Sequence, residues 1–292
     1  MQSKEDIYKF ITKRNPCILD GAIGTCLEQQ GIKTELPLWT AFAHMKHPQR
    51  ILDIHKAYID AGADIISANT WRASYYLLEK TGHLDRLDRA IEEAASLGRQ
   101  AWTSSTRSGL LAASIAPLED CYQPSLAPSE EMMHKYHDKQ LSLLAAHDFD
   151  LLMAETINTK REAIIIAHLA NHYAIPVTIS FITDGDERLL SGELLTHAID
   201  AIAPLEPVAI LLNCRSVAGI AKGASVLSNH KGNFLKGIYP NGPGKPDEHQ
   251  GWIEIEDSVS VFRDYMFAWA GTFHLLGGCC GTTPAHIASL KD

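Results

Sequence analysis

Short apolar runs rich in β-branched residues alternate along this chain with longer stretches whose apolar positions recur every three to four residues. The runs fall at 17–20 (CILD), 64–70 (DIISANT), 110–117 (LLAASIAP) and 150–156 (DLLMAET). They continue at 176–181 (PVTISF), 207–214 (PVAILLNC), 234–239 (FLKGIY) and 273–280 (FHLLGGCC). Most lack period-two alternation, the pattern of strands buried on both faces of a parallel sheet. Between them, Leu84, Leu87, Ile91, Ala94, Ala101 and Trp102 mark one amphipathic helix. Met133, Tyr136, Gln140, Leu141 and Leu144 mark another, opening at Pro128-Ser129, and Thr159 with Glu162 predicts a capping box at the start of a third. Residues 48–62 and 216–229 follow the same period, although Gly219 and Gly223 weaken the second. Residues 254–270 are the least regular helix and 284–291 the shortest.

Eight strand-then-helix units predict an α/β chain of a single domain, residues 1–292, folded as one (β/α)8 TIM barrel. An open doubly wound sheet is the alternative. No Gly-x-Gly-x-x-Gly follows the first run, so a dinucleotide-binding reading lacks its main support.

Composition narrows the function. At 292 residues, 46% hydrophobic and 21% charged, the chain is globular in composition. Twenty-six basic against 35 acidic residues give a net charge of −9, which argues against nucleic acid or an anionic membrane as partner. No apolar run approaches the roughly 18 residues of a membrane span. The opening MQSKEDIYKFITKR is too charged for a secretory signal, so a cytoplasmic protein is expected. Its six cysteines should then be reduced, and metal or catalytic use outranks disulfides.

In a barrel of this kind, chemistry gathers where strands end and loops begin. Those positions hold Asp20, Asn69, Thr70, Glu155, Thr156, Asn213, Cys214 and residues 277–280, far apart in sequence yet aimed at one mouth. Cys214 ends the sixth run, and Cys279 and Cys280 end the eighth, where Gly277, Gly278 and Gly281 permit a tight turn. Adjacent cysteines bridge each other only in a strained ring. Three thiolates suit zinc and leave its fourth position for substrate. The plain alternative is that strand-end cysteines are small buried hydrophobes, the reading given to Cys17, Cys26 and Cys121.

Three thiolates would give a zinc complex a net charge of −1, a poor Lewis acid toward carbonyls. A substrate thiol bound there would still be deprotonated and nucleophilic toward an alkyl group. Thiol alkylation therefore fits better than hydrolysis. Asp20 and Glu155 could hold an ammonium group, and the amides of Gly21, Ala22 and Ile23 a carboxylate. Alternatively, Asp20 caps the turn that follows it and Glu155 pairs with a lysine or arginine.

The segments 18–25 (ILDGAIGT), Asn69-Thr70, Glu155-Thr156, Asn213-Cys214 and 277–287 (GGCCGTTPAHI) resemble the homocysteine S-methyltransferase family over about residues 18–287. The resemblance implies a (β/α)8 barrel with Zn2+ held by Cys214, Cys279 and Cys280 at the C-terminal end of the strands. It implies homocysteine as the thiol, its amino group held by Asp20 and Glu155 and its carboxylate by the backbone of Gly21 and Ile23. Thr70 and Asn213 join the substrate contacts on the same basis.

For the methyl donor, Arg72 stands where betaine-type members carry a tyrosine, and Thr156 replaces another donor-site tyrosine. No pterin or cobalamin module fits within this length. By elimination the resemblance points to a sulfonium donor such as S-methylmethionine, with methionine as product. The alternatives are betaine as donor, a selenol or another thiol as acceptor, or a non-catalytic zinc or amino-acid-binding barrel. A methylsulfonium favours an aromatic wall, for which Trp39, Trp71 and Tyr122 are candidates, with Arg72 beside them. Residues 239–244 (YPNGPG) are expected to form a rigid turn rather than a phosphate site, and His274 and His286 to be structural. Small-molecule substrates are the expected partners, and the oligomeric state is left open.

Overall fold

The computed structural model describes residues 2–247 and 251–291. All eight apolar runs supply a barrel strand. The first seven are β1 (Cys17–Ile18), β2 (Ile65–Ser67), β3 (Leu110–Ile115), β4 (Leu151–Ile157), β5 (Val177–Phe181), β6 (Ala209–Ser216) and β7 (Leu235–Asn241). A separate antiparallel hairpin, β8 (Gly244–Asp247) and β9 (Gly251–Glu254), precedes the last barrel strand, β10 (Leu275–Leu276). The eight barrel strands pair in parallel in the order β1-β10-β7-β6-β5-β4-β3-β2, and a Leu19–Ile65 bridge links β1 to β2. The architecture is the expected (β/α)8 barrel. No helix among the described residues is long and apolar enough to cross a membrane.

Alternate residues of most barrel strands serve two cores, which explains why those runs show no polar face; in β5 the alternate positions are Thr178 and Ser180, buried but polar. Leu19, Ile65, Leu110, Ala112, Leu151, Met153, Leu211 and Leu275 form one buried cluster inside the barrel. Ile18, Ile66, Leu111, Ala113, Leu152, Ile210 and Leu276, one residue out of phase, pack in the larger cluster against the helices. Ile7 and Ile11, one turn apart on the helix Lys4–Thr12, join the inner cluster. The charged opening segment is therefore an amphipathic helix packed against the barrel's inner core.

Several helix boundaries differ from expectation for visible reasons. The helix expected over 216–229 starts at Ala221, because β6 continues to Ser216. That expected over 254–270 starts at Ser258, because β9 occupies the residues up to Glu254. The helix Leu195–Ile202 was not legible, being short and preceded by a loop of turns and isolated bridges. The Thr159–Glu162 capping box is not formed. Thr159 makes no side-chain cap bond, and Glu162 instead accepts from the Leu118 amide at 2.9 Å and meets His137 Nε2 at 2.8 Å. A capping box does open the helix Pro284–Ala288, where Thr283 and His286 satisfy each other's backbone.

His44 and His55 are fully buried beside the barrel, and both ring nitrogens of His55 lack a hydrogen-bond partner. Burial pulls each imidazole down to about 4. The unfolded chain then binds more protons than the folded one below the ordinary histidine value, so stability is complete above about pH 6.5 and falls as pH drops toward 4. Each group accounts for a loss on the order of 3 kcal/mol across that window. Because the raised carboxyls of Asp20 and Glu155 shift stability the opposite way over the same range, the test is a difference: in urea titrations His55→Leu should gain about 2 kcal/mol relative to the unaltered protein between pH 7 and pH 5. An identical pH dependence in the variant would disprove the assignment.

Candidate metal centre and substrate pocket

The two strands that carry chemistry are both irregular at their ends. Parallel register shifts between Ala154 and Ile157 in β4, and between Asn213 and Ser216 in β6. Within these bulges Thr156 (φ 61°) and Cys214 (φ 58°) adopt left-handed backbone although neither is glycine. Such residues cost roughly 1–3 kcal/mol each and persist only where the surroundings hold them. Bulges re-aim side chains at strand ends, and here one side chain ties the two together. The Asn213 Oδ1 accepts from the Thr156 amide at 3.1 Å and the Ser180 hydroxyl at 2.7 Å. Its Nδ2 donates to Thr156 Oγ1 at 2.8 Å and to Cys279 Sγ at 3.7 Å.

Cys279 and Cys280 sit on a turn beyond β10 that is pinned by backbone. The amides of Gly277, Gly278 and Cys279 donate to Ile238, Asp20 and Pro240 carbonyls at 3.1, 3.1 and 2.8 Å, and Gly242 donates to the Cys280 carbonyl at 2.8 Å. A Cβ on Gly278 would lie 2.4 Å from Thr282 Oγ1, and Gly281 has φ 76° with Trp252 against it. The turn needs glycine at both places. Residues 239–244 thus continue β7 and lead into the β8–β9 hairpin, whose Trp252 covers the cysteine turn.

The three sulfurs of Cys214, Cys279 and Cys280 lie within 4.8 Å of one another, with Cys214 and Cys280 at 3.8 Å. Tetrahedral zinc with bonds of about 2.3 Å places its sulfurs about 3.8 Å apart. The trio therefore fits a metal that takes thiolates. Hydrogen bonds from Cys279 and Cys280 hold the Cys214 thiol well below the ordinary cysteine value, while those two thiols are pushed up. Cys17, Cys26 and Cys121 are buried and free, apart from this group.

Tyr122 belongs to the sulfur site more than to an open aromatic wall. Its residue is 53% exposed, yet its hydroxyl lies 2.9 Å from Cys214 Sγ. With Cys214 carrying the charge, the phenol donates. The loop behind it is fixed by the Glu162–Leu118 bond and by Asn158 Nδ2 donating to the Cys121 carbonyl at 2.9 Å. Glu162 and Asn158 were invisible as site supports, since the loop they hold is about 40 residues away in sequence.

Above the sulfurs a pocket of about 930 Å³ opens at the C-terminal ends of the strands. Asp20, Gly21, Ile23, Glu155 and Asn213 line it, as do the three cysteines, and Trp39, Trp71, Arg72 and Tyr122 complete it. Thr70 does not line it. Its hydroxyl donates to the Ser114 carbonyl and accepts from the Ser114 amide, both at 2.8 Å, so it ties the end of β2 to β3. Asn213 lines the pocket, but both ends of its amide are already engaged in the clamp.

Among the described residues, Asp20 neither caps a turn nor pairs with a base. Its carboxylate accepts from the Ser67 amide at 2.7 Å and hydroxyl at 3.2 Å. Glu155 accepts from the Ser114 hydroxyl, and no basic side chain reaches it among the described residues. Burial lifts Asp20 well above the carboxylate range, opposed by the Ser67 bonds and increased by the charge of Glu155. Burial likewise raises Glu155 to about 7, with the Ser114 bond pulling it partway back. Two carboxylates buried in one pocket without a cation are costly unless a ligand supplies the charge.

At the mouth, Trp39 and Trp71 meet edge to face at 5.6 Å, and the Arg72 guanidinium lies over the Trp71 ring at 4.7 Å. Part of Trp71's surface is thus already covered by a cation.

Residues 17–292 match the family model described as homocysteine S-methyltransferase. A selenocysteine Se-methyltransferase from Brassica oleracea var. italica is 28% identical, with 94% of this chain and 87% of that protein covered. The metallated form of the homocysteine methyltransferase MmuM from Escherichia coli superposes with a TM-score of 0.83 at 25% identity, covering 97% of this chain and 98% of that one. The apo form of the same enzyme superposes at 0.74 with 26% identity, covering 96% of each chain.

Proposed function

The chain belongs to the homocysteine S-methyltransferase family, and from that premise we propose that it is a zinc-dependent methyltransferase converting homocysteine to methionine with a sulfonium donor, S-methylmethionine foremost. The observation that carries this reading is the placement of three convergent cysteine sulfurs beneath two unpaired carboxylates in one pocket.

Cys214, Cys279 and Cys280 would hold the zinc, which when bound keeps a fourth thiol ligand deprotonated and nucleophilic at neutral pH. The chain's own residues do the rest. Asp20 and Glu155 hold the ammonium of homocysteine by charge-assisted bonds, and the backbone of Gly21 and Ile23 faces its carboxylate. Tyr122 and Asn213, donating to Cys214 and Cys279, drain charge from those thiolates and fix their direction. The homocysteine sulfur forms its new bond to the methyl carbon as the bond from that carbon to the donor sulfur breaks, and the electron pair leaves with a neutral sulfide. No proton moves at that step, so no general base is required.

Methionine formation by zinc-loaded protein, with S-methylmethionine and betaine compared side by side, tests the proposal. Turnover with the sulfonium and not with betaine is expected. Absence of methionine from every sulfonium would refute it.

Glu155 gives a second test, through pH. The free carboxyl titrates at about 7, and only its ionised form holds an ammonium. The Glu155 contribution to the KM for homocysteine should therefore rise as pH falls below 7 and level off above, superimposed on the fall in KM that deprotonation of the substrate thiol gives up to about pH 8.5. In Glu155→Gln the KM should be about 10- to 100-fold higher at pH 8, the loss of one charged hydrogen bond, and lose this lower limb. The substrate thiol, titrating near 8.5 in model compounds, would keep its own upper limb in both proteins. A KM unchanged by the substitution would remove Glu155 from the binding site.

A further inference from the structure

Arg72 is a half-buried guanidinium without an acceptor. Its Nε is shut off from solvent with no hydrogen-bond partner, and no carboxylate or carbonyl of the described residues reaches the rest of the group. Arg86 shares this state, stacked over Phe42 at 3.9 Å with only Met45 Sδ at 4.0 Å, but it does not line the pocket, and the other half-buried arginines reach oxygen acceptors. Arg14 and Arg107 reach Asp64, Arg99 reaches Asp148 and Asp150, and Arg161 reaches the Ala127 carbonyl. Asp120, an acidic side chain of the same pocket, is engaged locally by the Tyr122 amide and the Gln123 side chain at 2.9 and 2.8 Å.

What Arg72 does have is a platform and a cavity. The guanidinium lies 4.7 Å over the Trp71 ring, which is braced edge to face by Trp39, and the residue lines the 930 Å³ pocket. A planar fork with its donors unspent, held against an indole, is arranged for a carboxylate. The same pocket therefore carries both signs of charge, with Asp20 and Glu155 for an ammonium and Arg72 for an anion.

We propose that Arg72 is a specificity-determining residue that anchors the carboxylate of the methyl donor and gives this pocket its preference for a zwitterionic methylsulfonium over a full cation. This inference rests on the sulfonium reading above and sharpens it. A bare cation entering the pocket would meet the repulsion of Arg72. A zwitterionic donor places its anionic end on the guanidinium and leaves the methylsulfonium for the acceptor sulfur. Anchoring also restricts the approach of the methyl carbon, as positioning of a reactant requires.

The test is binding, without turnover. Zinc-loaded protein lacking homocysteine is titrated calorimetrically with dimethylsulfonioacetate and with its methyl ester. Neither carries an amino group, so neither satisfies an α-amino-acid site. Asp20 and Glu155 alone would favour the ester, a full cation. The proposal expects the acid to bind at least about tenfold tighter, the scale of one charged hydrogen bond. Arg72→Gln should cut affinity for the acid about 10- to 100-fold while sparing the ester, and Arg72→Lys should recover part of it. Equal binding of acid and ester by the unaltered protein would overturn the proposal. So would Arg72→Gln weakening both alike. A preserved acid preference in a protein that makes no methionine from any sulfonium would leave the anchor standing and bring down the transferase reading instead.

Discussion

Cys280→Ala protein should purify with almost no zinc and with methyl transfer reduced by at least about a thousandfold. Zinc bound through several thiolates carries roughly 10–16 kcal/mol in zinc-finger peptides, so removing one of three sulfurs forfeits several kcal/mol, or about 10²- to 10⁴-fold in affinity. The loss extends beyond one bond. Cys214 and Cys280 are 3.8 Å apart and share the burial that a metal compensates. Without Cys280 the remaining pair offers two sulfurs and no tripod. The fold should survive, because Cys280 lies on a loop past β10 rather than in either core cluster. Circular dichroism would confirm that, and Cys26→Ala, which alters a buried cysteine outside the trio, should keep both metal and activity. A zinc-free Cys280→Ala protein that still made methionine would end the mechanism.

Asn213→Ala should be the most damaging change outside the sulfurs. From its place beside the left-handed Cys214 in β6, the amide reaches across β5 to hold the left-handed Thr156 in β4 and steers Cys279, and all four of its hydrogen bonds are buried or nearly so. Removing it orphans the Thr156 amide and releases strain that only this network contains. A cost of about 3–5 kcal/mol in stability is expected, at the upper end for a single residue. Metal affinity should fall about 10- to 100-fold, as when partners of metal ligands are lost. Asn213→Asp separates the two effects. It keeps shape and the bonds to Oδ1, but loses the donor to Cys279 and sets a carboxylate beside thiolates. It should retain more stability than Asn213→Ala while losing at least as much metal affinity. Wild-type zinc affinity in both variants would show that Asn213 is merely a packing residue.

The barrel was legible because its strands are buried on both sides, which leaves runs such as AILL in β6 and LLAASI in β3 that have few other homes. The site residues were legible for a related reason, since polar groups at the ends of such runs all face one rim. Less visible was what each polar group does there. Thr70 and Asn213 carry side chains that suit a ligand, and the structure uses their hydroxyl and amide to bind neighbouring strands. Thr156 and Cys214 gave no sign of left-handed backbone, because that conformation is imposed by the clamp and not preferred by either residue. Glu162 three residues after Thr159 fits a local cap, but the long-range partners Leu118 and His137 won it. The dense proline and glycine of residues 239–247 concealed a hairpin. Arg72 next to Trp71 was readable as a pair, but only coordinates show that the guanidinium finds no acceptor.

The most direct test is X-ray absorption at the zinc edge of the loaded protein before and after homocysteine is added. Three sulfur neighbours at about 2.3 Å, rising to four when homocysteine binds, is the predicted result. A count that stays at three with homocysteine at saturation, its thiol remaining off the metal, would contradict the account.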